Sequence, residues 1–202
     1  RIVNEEYKVQ AGLGLLSSHT EADIGIRDFT LLTLPFSGTL DRRDNDLDPN
    51  NGYFLNLALT PFVGISGSGN GARLYADARG YRSFGAEDRF TLAGRLQLGS
   101  VMGTDVTETV PDFLFYSGGG GTVRGQPYQS LGVTLPGGEE IGGRSFLGAS
   151  VEMRADVTEK IQVVGFYDFG LISAESWPGE EGESHAGAGL GIRYQTGLGP
   201  IR

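Results

Sequence analysis

The amino-acid sequence predicts an all-β protein, an antiparallel up-and-down transmembrane β-barrel of which about eight strands are present. Three observations support this prediction. Apolar and polar residues alternate in segment after segment, the connections alternate between two kinds, and no segment has the apolar spacing of an amphipathic helix. Alternation with a period of two is typical of strands that have one apolar and one polar face.

The first four predicted strands cover residues 5–17, 24–40, 52–64 and 71–84. The first has its apolar residues at odd positions from Tyr7 to Leu15, and the third has them at odd positions from Tyr53 to Leu59. In the fourth, alanine and leucine alternate with arginine, tyrosine and aspartate. The second loses its parity near Phe29, which predicts a bulge or a kink there.

The other four predicted strands cover residues 88–101, 145–157, 160–173 and 185–197. Leucine alternates with polar residues in the fifth. In the sixth and seventh, aliphatic and aromatic residues alternate with polar ones such as Glu152 and Asp168. In the last, apolar residues alternate with Gly187, Gly189 and Gly191. Each of these segments therefore has one apolar face.

The connections fall into two groups, as up-and-down connectivity requires. One rim is predicted to hold the turns near residues 41–51, 85–87, 158–159 and 197–199. The other is predicted to hold the connections near residues 18–23, 65–70, 102–144 and 174–184. The longest loops share this second rim. Bacterial outer-membrane barrels have short periplasmic turns and longer extracellular loops, so the asymmetry favours that class.

The polar face of the predicted strands indicates which side meets lipid. It combines small residues with charges of both signs: Arg73, Asp77, Arg79, Arg95, Glu152, Arg154, Asp168 and Arg193. Interspersed charges suit a hydrated lumen, whereas a face exposed to bulk water would carry more lysine. We therefore predict that the apolar face meets lipid. A soluble eight-stranded binding barrel, with its apolar face inward, is the alternative.

Composition narrows the function classes. The 202 residues have a formal net charge of -9 and no cysteine, which predicts one domain without disulfides or thiol-based metal sites. An acidic chain is not expected to bind nucleic acid. No apolar run approaches the roughly 18 residues of a membrane helix. The chain begins at Arg1 without a signal peptide, which indicates a processed or excised piece.

The segment 116–132 carries the most specific motif. Four glycines precede Thr122 and a Val-Arg-Gly triplet, so the motif residues are Gly118, Gly119, Gly120, Gly121, Val123, Arg124 and Gly125. The segment resembles the Val-Arg-Gly-aromatic motif of the BamA/TamA superfamily of outer-membrane β-barrels, also called the bacterial surface antigen family. Because Gln126 and Pro127 follow the triplet, Tyr128 is expected to take the aromatic position.

Three further stretches resemble the same superfamily, in the expected order. They are an Asp-Arg run leading through Pro to Gly in residues 40–52, a Phe-x-Asp-x-Gly pattern in residues 165–170, and the glycine-alternating residues 187–202. The Arg-Tyr-x-Thr pattern at 193–196 and the glycine run before the triplet are more similar to TamA than to BamA.

The resemblance implies a location and a function. It implies that residues 1–202 are the C-terminal part of a sixteen-stranded barrel in the bacterial outer membrane, without its first strands, its POTRA domains and its last two strands. It implies insertion or translocation of client β-barrel or autotransporter proteins, in contact with the lipid bilayer and with an inner-membrane-anchored partner that spans the periplasm. A two-partner-secretion pore of the same superfamily is the alternative.

The resemblance also implies that the loop enters the lumen, where Arg124 pairs with an acidic residue on the strands that follow. Glu152 and Asp168 lie on the polar parity of two neighbouring strands, so both are candidates. A guanidinium can bind a carboxylate through two parallel hydrogen bonds, which fixes orientation as well as position. The alternative is that all three are ordinary charges lining the lumen.

Other candidate sites have weaker patterns. Asp44, Asp46 and Asp48 alternate like the start of a calcium loop, but the required glycine and glutamate are missing, so we predict a turn with Asx hydrogen bonds. His19 and His185 are predicted to be surface residues in loops. No nucleophile and base converge on one rim, so we expect no enzyme, no cofactor and no metal site.

Overall fold

The structure is a computed structural model that describes residues 2–3, 6–22, 25–179, 181–196 and 199–201. The strands are β1 (Ile2–Val3), β2 (Tyr7–Ala11), β3 (Gly14–Ala22), β4 (Gly25–Thr33), β5 (Phe36–Asp41), β6 (Gly52–Ser66), β7 (Gly71–Phe84), β8 (Phe90–Met102), β9 (Val133–Thr134), β10 (Glu140–Ile141), β11 (Ser145–Asp156), β12 (Ile161–Ser173), β13 (Glu183–Thr196) and β14 (Gly199–Ile201). Two 3-10 turns, Ala86–Asp88 and Pro111–Phe113, complete the secondary structure of this part of the chain. None of the helices described there has the length and apolar character to cross a bilayer.

The strands form one twelve-stranded antiparallel sheet in chain order, which confirms the predicted all-β class and the up-and-down connectivity. The path runs β1-β2-β5-β6-β7-β8-β11-β12-β13-β14, with β3 paired to β4 and β4 paired to β6. Within the described residues the sheet stays open rather than closing into a barrel. Strands β9 and β10 form a separate small hairpin inside the long loop.

The first two predicted strands are one long hairpin whose strands are each interrupted once. Strands β2 and β3 are separated by Gly12 and Leu13, and β4 and β5 are separated by Leu34 and Pro35. Pro35 has no N–H to give to a ladder, so the regular pairing stops there. The Gly12 amide nevertheless donates to the Pro35 carbonyl oxygen at 2.9 Å, so the two halves of the hairpin stay joined.

The irregularity predicted near Phe29 occurs one to two residues further on. Thr30 pairs with Ser66 but Leu31 pairs with Gly64, so the register of β4 against β6 shifts between them. Phe29 and Leu31 are both fully buried, on the opposite parity from the exposed Leu32. The sequence parity therefore fails here because both faces of β4 carry large apolar residues.

The two faces of the sheet have opposite chemistry. We call the face on which residues 103–144 lie the inner face. Its charged side chains are buried or half-buried; Asp77, for example, is 4% exposed and Asp168 is 1% exposed. Leucines of the other face are exposed, including Leu96 at 60% and Leu190 at 86%. Apolar outward and polar inward is the orientation that a lipid-facing strand requires, and it agrees with the prediction.

Residues 103–144 fold back over the inner face and pack there through an apolar cluster. This loop core consists of Phe29, Leu31, Phe62, Val101, Val110, Phe113, Phe115, Phe146 and Ile172. The Arg73 guanidinium donates to the Phe113 carbonyl oxygen at 3.0 Å and lies 4.5 Å from the Phe115 ring centroid. The base of the loop is thus fixed to the sheet before the motif segment begins.

Candidate functional site: the inner-face loop and its arginine

Strands β11 and β12 present the acidic side chains beneath the loop. Ser150 lies directly opposite Asp168, and Glu152 lies opposite Phe166. All four residues share the inner-face parity, because side chains of one strand alternate between faces. The two carboxylates are therefore diagonal neighbours, close enough to bind one guanidinium.

Arg124 lies between these two carboxylates. Its Nε donates to Asp168 Oδ2 at 2.7 Å and its Nη2 donates to Asp168 Oδ1 at 2.8 Å, which is a bidentate pair. Its Nη1 donates to Glu152 Oε2, and its backbone N–H donates to Asp168 Oδ2 at 3.0 Å. The structure thus brings together the three residues that the sequence analysis connects. We call this arrangement the arginine clasp.

Two members of the clasp were missed by the sequence analysis. The Phe166 ring centroid lies 3.7 Å from Arg124 Cζ, so the guanidinium is stacked on an aromatic face. Ser150 Oγ donates to Asp168 Oδ1 and accepts from Arg124 Nη2 at 3.3 Å. Parity places both on the inner face, because Phe166 and Asp168 are two residues apart on one strand and Ser150 precedes Glu152 by two, but parity does not identify Arg124 as their partner.

Only part of the glycine run is required by the backbone conformation. Gly118 and Gly119 have φ values of 115° and 86°, and Gly125 has φ 86°, conformations that residues with a Cβ rarely adopt. A Cβ on Gly118 would also lie 2.2 Å from the Pro127 carbonyl oxygen. Gly120 and Gly121 have no such requirement, because nothing lies within 4 Å of an added Cβ.

The remaining motif residues differ in burial. Val123 is fully buried and lies against Gly170 of β12 and Gly187 of β13. A Cβ added to these glycines would come within 3.0 Å and 3.3 Å of the Val123 methyl groups. Tyr128 is 80% exposed and lies over Gly119. The aromatic contact of Arg124 is made by Phe166 rather than by Tyr128.

A second ion cluster supports the tip of the loop. Arg79 and Arg95 both bind Asp77, with Nη2 atoms 2.7 Å from Oδ2 in each case. Arg95 also donates from Nη1 to the Gly121 carbonyl oxygen at 2.8 Å. These charges lie on the predicted polar face, but the contact of Arg95 with the loop was not predictable, because its acceptor is a backbone carbonyl that any residue type would supply.

The histidine prediction needs a correction. His19 lies in β3 and His185 in β13, not in loops. His19 Nδ1 lies 2.6 Å from Asp28 Oδ1 on an exposed part of the hairpin. His185 Nε2 lies 2.8 Å from Ser117 Oγ, so it contacts the loop from the inner side of β13. The loop prediction failed for His19 because β3 extends to Ala22, beyond the predicted end at residue 17. His185 is the first residue of the predicted strand, and β13 begins two residues before it.

The turn at residues 42–51 has the local hydrogen bonds of an Asx-rich turn. Asp44 accepts from the backbone N–H groups of Asn50 and Asn51, both at 3.0 Å. Hydrogen bonds from Arg43 to Asp41 raise the pKa of the Arg43 guanidinium. Asp48 behaves differently, because its carboxylate points onto the inner face and accepts from Arg193 Nη2 at 2.7 Å.

A loop folded onto the polar face and held by an arginine from a Val-Arg-Gly triplet is the arrangement that the sequence resemblance implied. The Omp85 superfamily domain matches residues 4–202, nearly the whole chain. The chain belongs to the Omp85 superfamily. This confirms the predicted superfamily, and it leaves the subfamily open.

A solved Omp85 structure has a similar fold. The crystal structure of BamA from Haemophilus ducreyi lacking POTRA domains 1-3 matches with a TM-score of 0.69 at 19% sequence identity. The match covers 87% of this chain and 38% of that BamA chain. The Omp85 chain described here thus corresponds to well under half of the BamA polypeptide.

Proposed function

We propose that this chain is part of an outer-membrane factor that assembles or translocates other outer-membrane proteins. More specifically, we propose a TamA-like insertase of β-barrel or autotransporter proteins, resident in the bacterial outer membrane. The observation that carries the proposal is the arginine clasp on the polar face of a sheet whose other face is apolar and exposed. Membership of the Omp85 superfamily supports the same role.

The clasp would brace the lumen while the barrel works. Asp168 and Glu152 are almost fully buried; both pair with Arg124, and Glu152 also pairs with Arg154. Removing one partner of a buried ion pair leaves an uncompensated charge, which costs on the order of 3–5 kcal/mol. The loop would therefore stay docked unless an event elsewhere in the barrel compensates for that loss.

The proposed mechanism is exchange of strand edges. A seam between the first and last strands of the complete barrel would open laterally and offer its edge to a client strand. Unpaired backbone N–H and C=O groups at a sheet edge are a template for strand addition, so this step needs no catalytic group, cofactor or metal. The proposed partners are the lipid bilayer, client proteins and an inner-membrane-anchored protein that spans the periplasm.

Replacement of the chromosomal gene by variants of the intact protein tests the proposal. We expect Arg124→Ala to lower the outer-membrane abundance of client barrels, measured by quantitative mass spectrometry of outer-membrane fractions. Arg82→Ala is the matched control, because its side chain is exposed and lies outside the clasp. Wild-type client levels in Arg124→Ala, together with unchanged protease sensitivity of the loop, would refute the bracing role.

The same experiment separates the two functions within the superfamily. A TamA-like insertase predicts loss of a subset of barrels or autotransporters after depletion of the protein. A two-partner-secretion pore predicts that only one secreted protein disappears from the medium, with outer-membrane barrels unchanged. Loss of nearly all barrels would instead indicate a general, BamA-like role.

A further inference from the structure

The turn between β5 and β6 crosses the inner face and binds strands on the far side of the sheet. Asp48 accepts from Arg193 Nη2 at 2.7 Å and from Gln195 Nε2, both on β13. Along the sheet, β6 and β13 are separated by β7, β8, β11 and β12. This contact joins two parts of the sheet that are four strands apart, so it constrains the curvature of the sheet as well as the conformation of the turn.

The buried side chain of Arg154 connects this turn to the arginine clasp. Arg154 donates from Nη1 to the Pro49 carbonyl oxygen at 3.0 Å and lies 3.4 Å from Asp48 Oδ1. Its Nε donates to Glu152 Oε1 at 2.8 Å, while the other oxygen of Glu152 accepts from Arg124. Arg154 and Glu152 are 4% and 7% exposed, so salt screens their interactions only weakly.

The result is a continuous row of charges from the turn at one rim of the sheet to the middle of β12. Signs alternate along it, in the order Asp168, Arg124, Glu152, Arg154, Asp48 and Arg193. Each inner member is shared by two neighbours of opposite sign. If one of its two partners leaves, a charged group in the row binds the remaining partner more closely. That partner then binds its own next neighbour less well.

We propose that residues 42–51 form a clamp on the inner face, in addition to the arginine clasp, and that docking of this clamp is coupled to docking of the Arg124 loop. When Asp48 leaves, Arg154 loses its acceptors on the turn and keeps only Glu152, so it binds Glu152 more closely and weakens the contact between Glu152 and Arg124. When Arg124 leaves, Glu152 draws Arg154 away from Asp48. An event that lifts the turn at its rim therefore loosens the loop attached at the opposite rim.

This coupling gives the turn a regulatory role, and that role rests on the bracing function proposed for the loop. The coupling itself is a property of the folded chain and can be measured without clients. It is also reciprocal, because two linked binding equilibria change each other by the same factor. Coupling between sites typically amounts to a factor of about 5 to 150 in an equilibrium constant.

Single cysteines can report the two docking events, because the chain has no cysteine of its own. Val123→Cys places a thiol at a fully buried loop position. Ser83→Cys places one beneath the turn, where Ser83 is 7% exposed and bonded to Asn51. Reaction with a bulky hydrophilic maleimide, measured on the intact protein in outer-membrane vesicles, then reports how often each segment lifts.

Asp48→Asn is the decisive variant and Asp46→Asn is its control, since the Asp46 side chain is 81% exposed and lies 3.7 Å from Arg43. We expect Asp48→Asn to raise labelling of Cys at position 123 about fivefold or more, and Arg124→Ala to raise labelling at position 83 by a similar factor. Asp46→Asn leaves both rates at the wild-type level. Faster labelling at 83 with an unchanged rate at 123 in Asp48→Asn would overturn the proposal.

A milder variant covers the case in which Asp48→Asn fails to fold. Gln195→Ala removes one donor to Asp48 and leaves Arg154 untouched, so we expect a smaller rise at both reporters in the same proportion. A rise at position 83 alone contradicts coupling. Client assembly is scored separately. Coupled labelling with normal assembly refutes the bracing function but supports the clamp. Uncoupled labelling with impaired assembly refutes the clamp but supports the bracing function.

Discussion

Arg124 and Asp168 are joined by three N–H···O contacts of 2.7, 2.8 and 3.0 Å, and the longest comes from the Arg124 backbone. Asp168 therefore holds the loop chain itself as well as the guanidinium. Because its carboxylate also accepts from Ser150, it is the acceptor on which the whole clasp converges.

Asp168→Asn is expected to destabilise the folded protein more than any loss of a surface ion pair. The substitution leaves the half-buried Arg124 with less negative charge and turns a buried N–H group of the new amide toward other donors, a change on the order of 3–5 kcal/mol. Urea unfolding followed by the gel mobility of the heat-modifiable barrel measures the difference. Glu175→Gln is the control, because Glu175 pairs with Arg144 while 69% exposed, and such pairs contribute about 0–1 kcal/mol.

Arg124→Lys tests whether geometry or charge holds the loop. Lysine keeps the positive charge but cannot form the planar two-bond contact with Asp168 or stack on Phe166. We expect the loop of Arg124→Lys to become protease-sensitive nearly as fast as the loop of Arg124→Ala. Protection equal to wild type would show that a point charge suffices, and that the fork of hydrogen bonds is dispensable.

Gly187→Ala is expected to push the loop away from β13 without changing any charge. An added Cβ would lie 2.1 Å from the Arg124 carbonyl oxygen, a backbone atom that cannot rotate away. Overpacking of this kind costs roughly 1–3 kcal/mol.

Gly191→Ala is the matched control for this prediction. Gly191 has the same parity on the same strand, and nothing lies within 4 Å of its added Cβ. We expect its stability to stay within about 0.5 kcal/mol of wild type. Equal effects of the two variants on urea unfolding would mean that strand propensity, and not contact with the loop, explains the loss.

Much of the architecture was predictable because it depends on local periodicity. The exposed leucines at odd positions of β6 and the buried charges of β11 and β12 follow directly from period-two alternation. Parity and the short turn between their strands also predict that Glu152 and Asp168 lie near each other on the polar face, and those two rules need no knowledge of the rest of the fold. Their pairing with Arg124 was implied by the family resemblance and not by periodicity.

The inward turn was not predictable from sequence. Asp44 and Asp48 have the same residue type four positions apart, yet one closes the turn locally and the other binds Arg193, 145 residues away. Periodicity carries no information on which polar side chains meet across a lumen. The same reason explains why Phe166 and Arg95 were missed, since their partners belong to the loop and not to a neighbouring strand.

Charges placed on the outward apolar face distinguish a membrane barrel from a soluble one. Leu96 is 60% exposed in the middle of the sheet, and Val157 is 56% exposed in the turn after β11. In a bilayer, Leu96→Arg places a charge in hydrocarbon at a cost of about 2–4 kcal/mol, whereas Val157→Arg lies near the interface and costs about 0–1 kcal/mol. Refolding yields into lipid vesicles and urea unfolding of the refolded protein measure both. In water, a charge at either exposed position is tolerated, so near-equal stabilities of the two variants would contradict a lipid-facing surface.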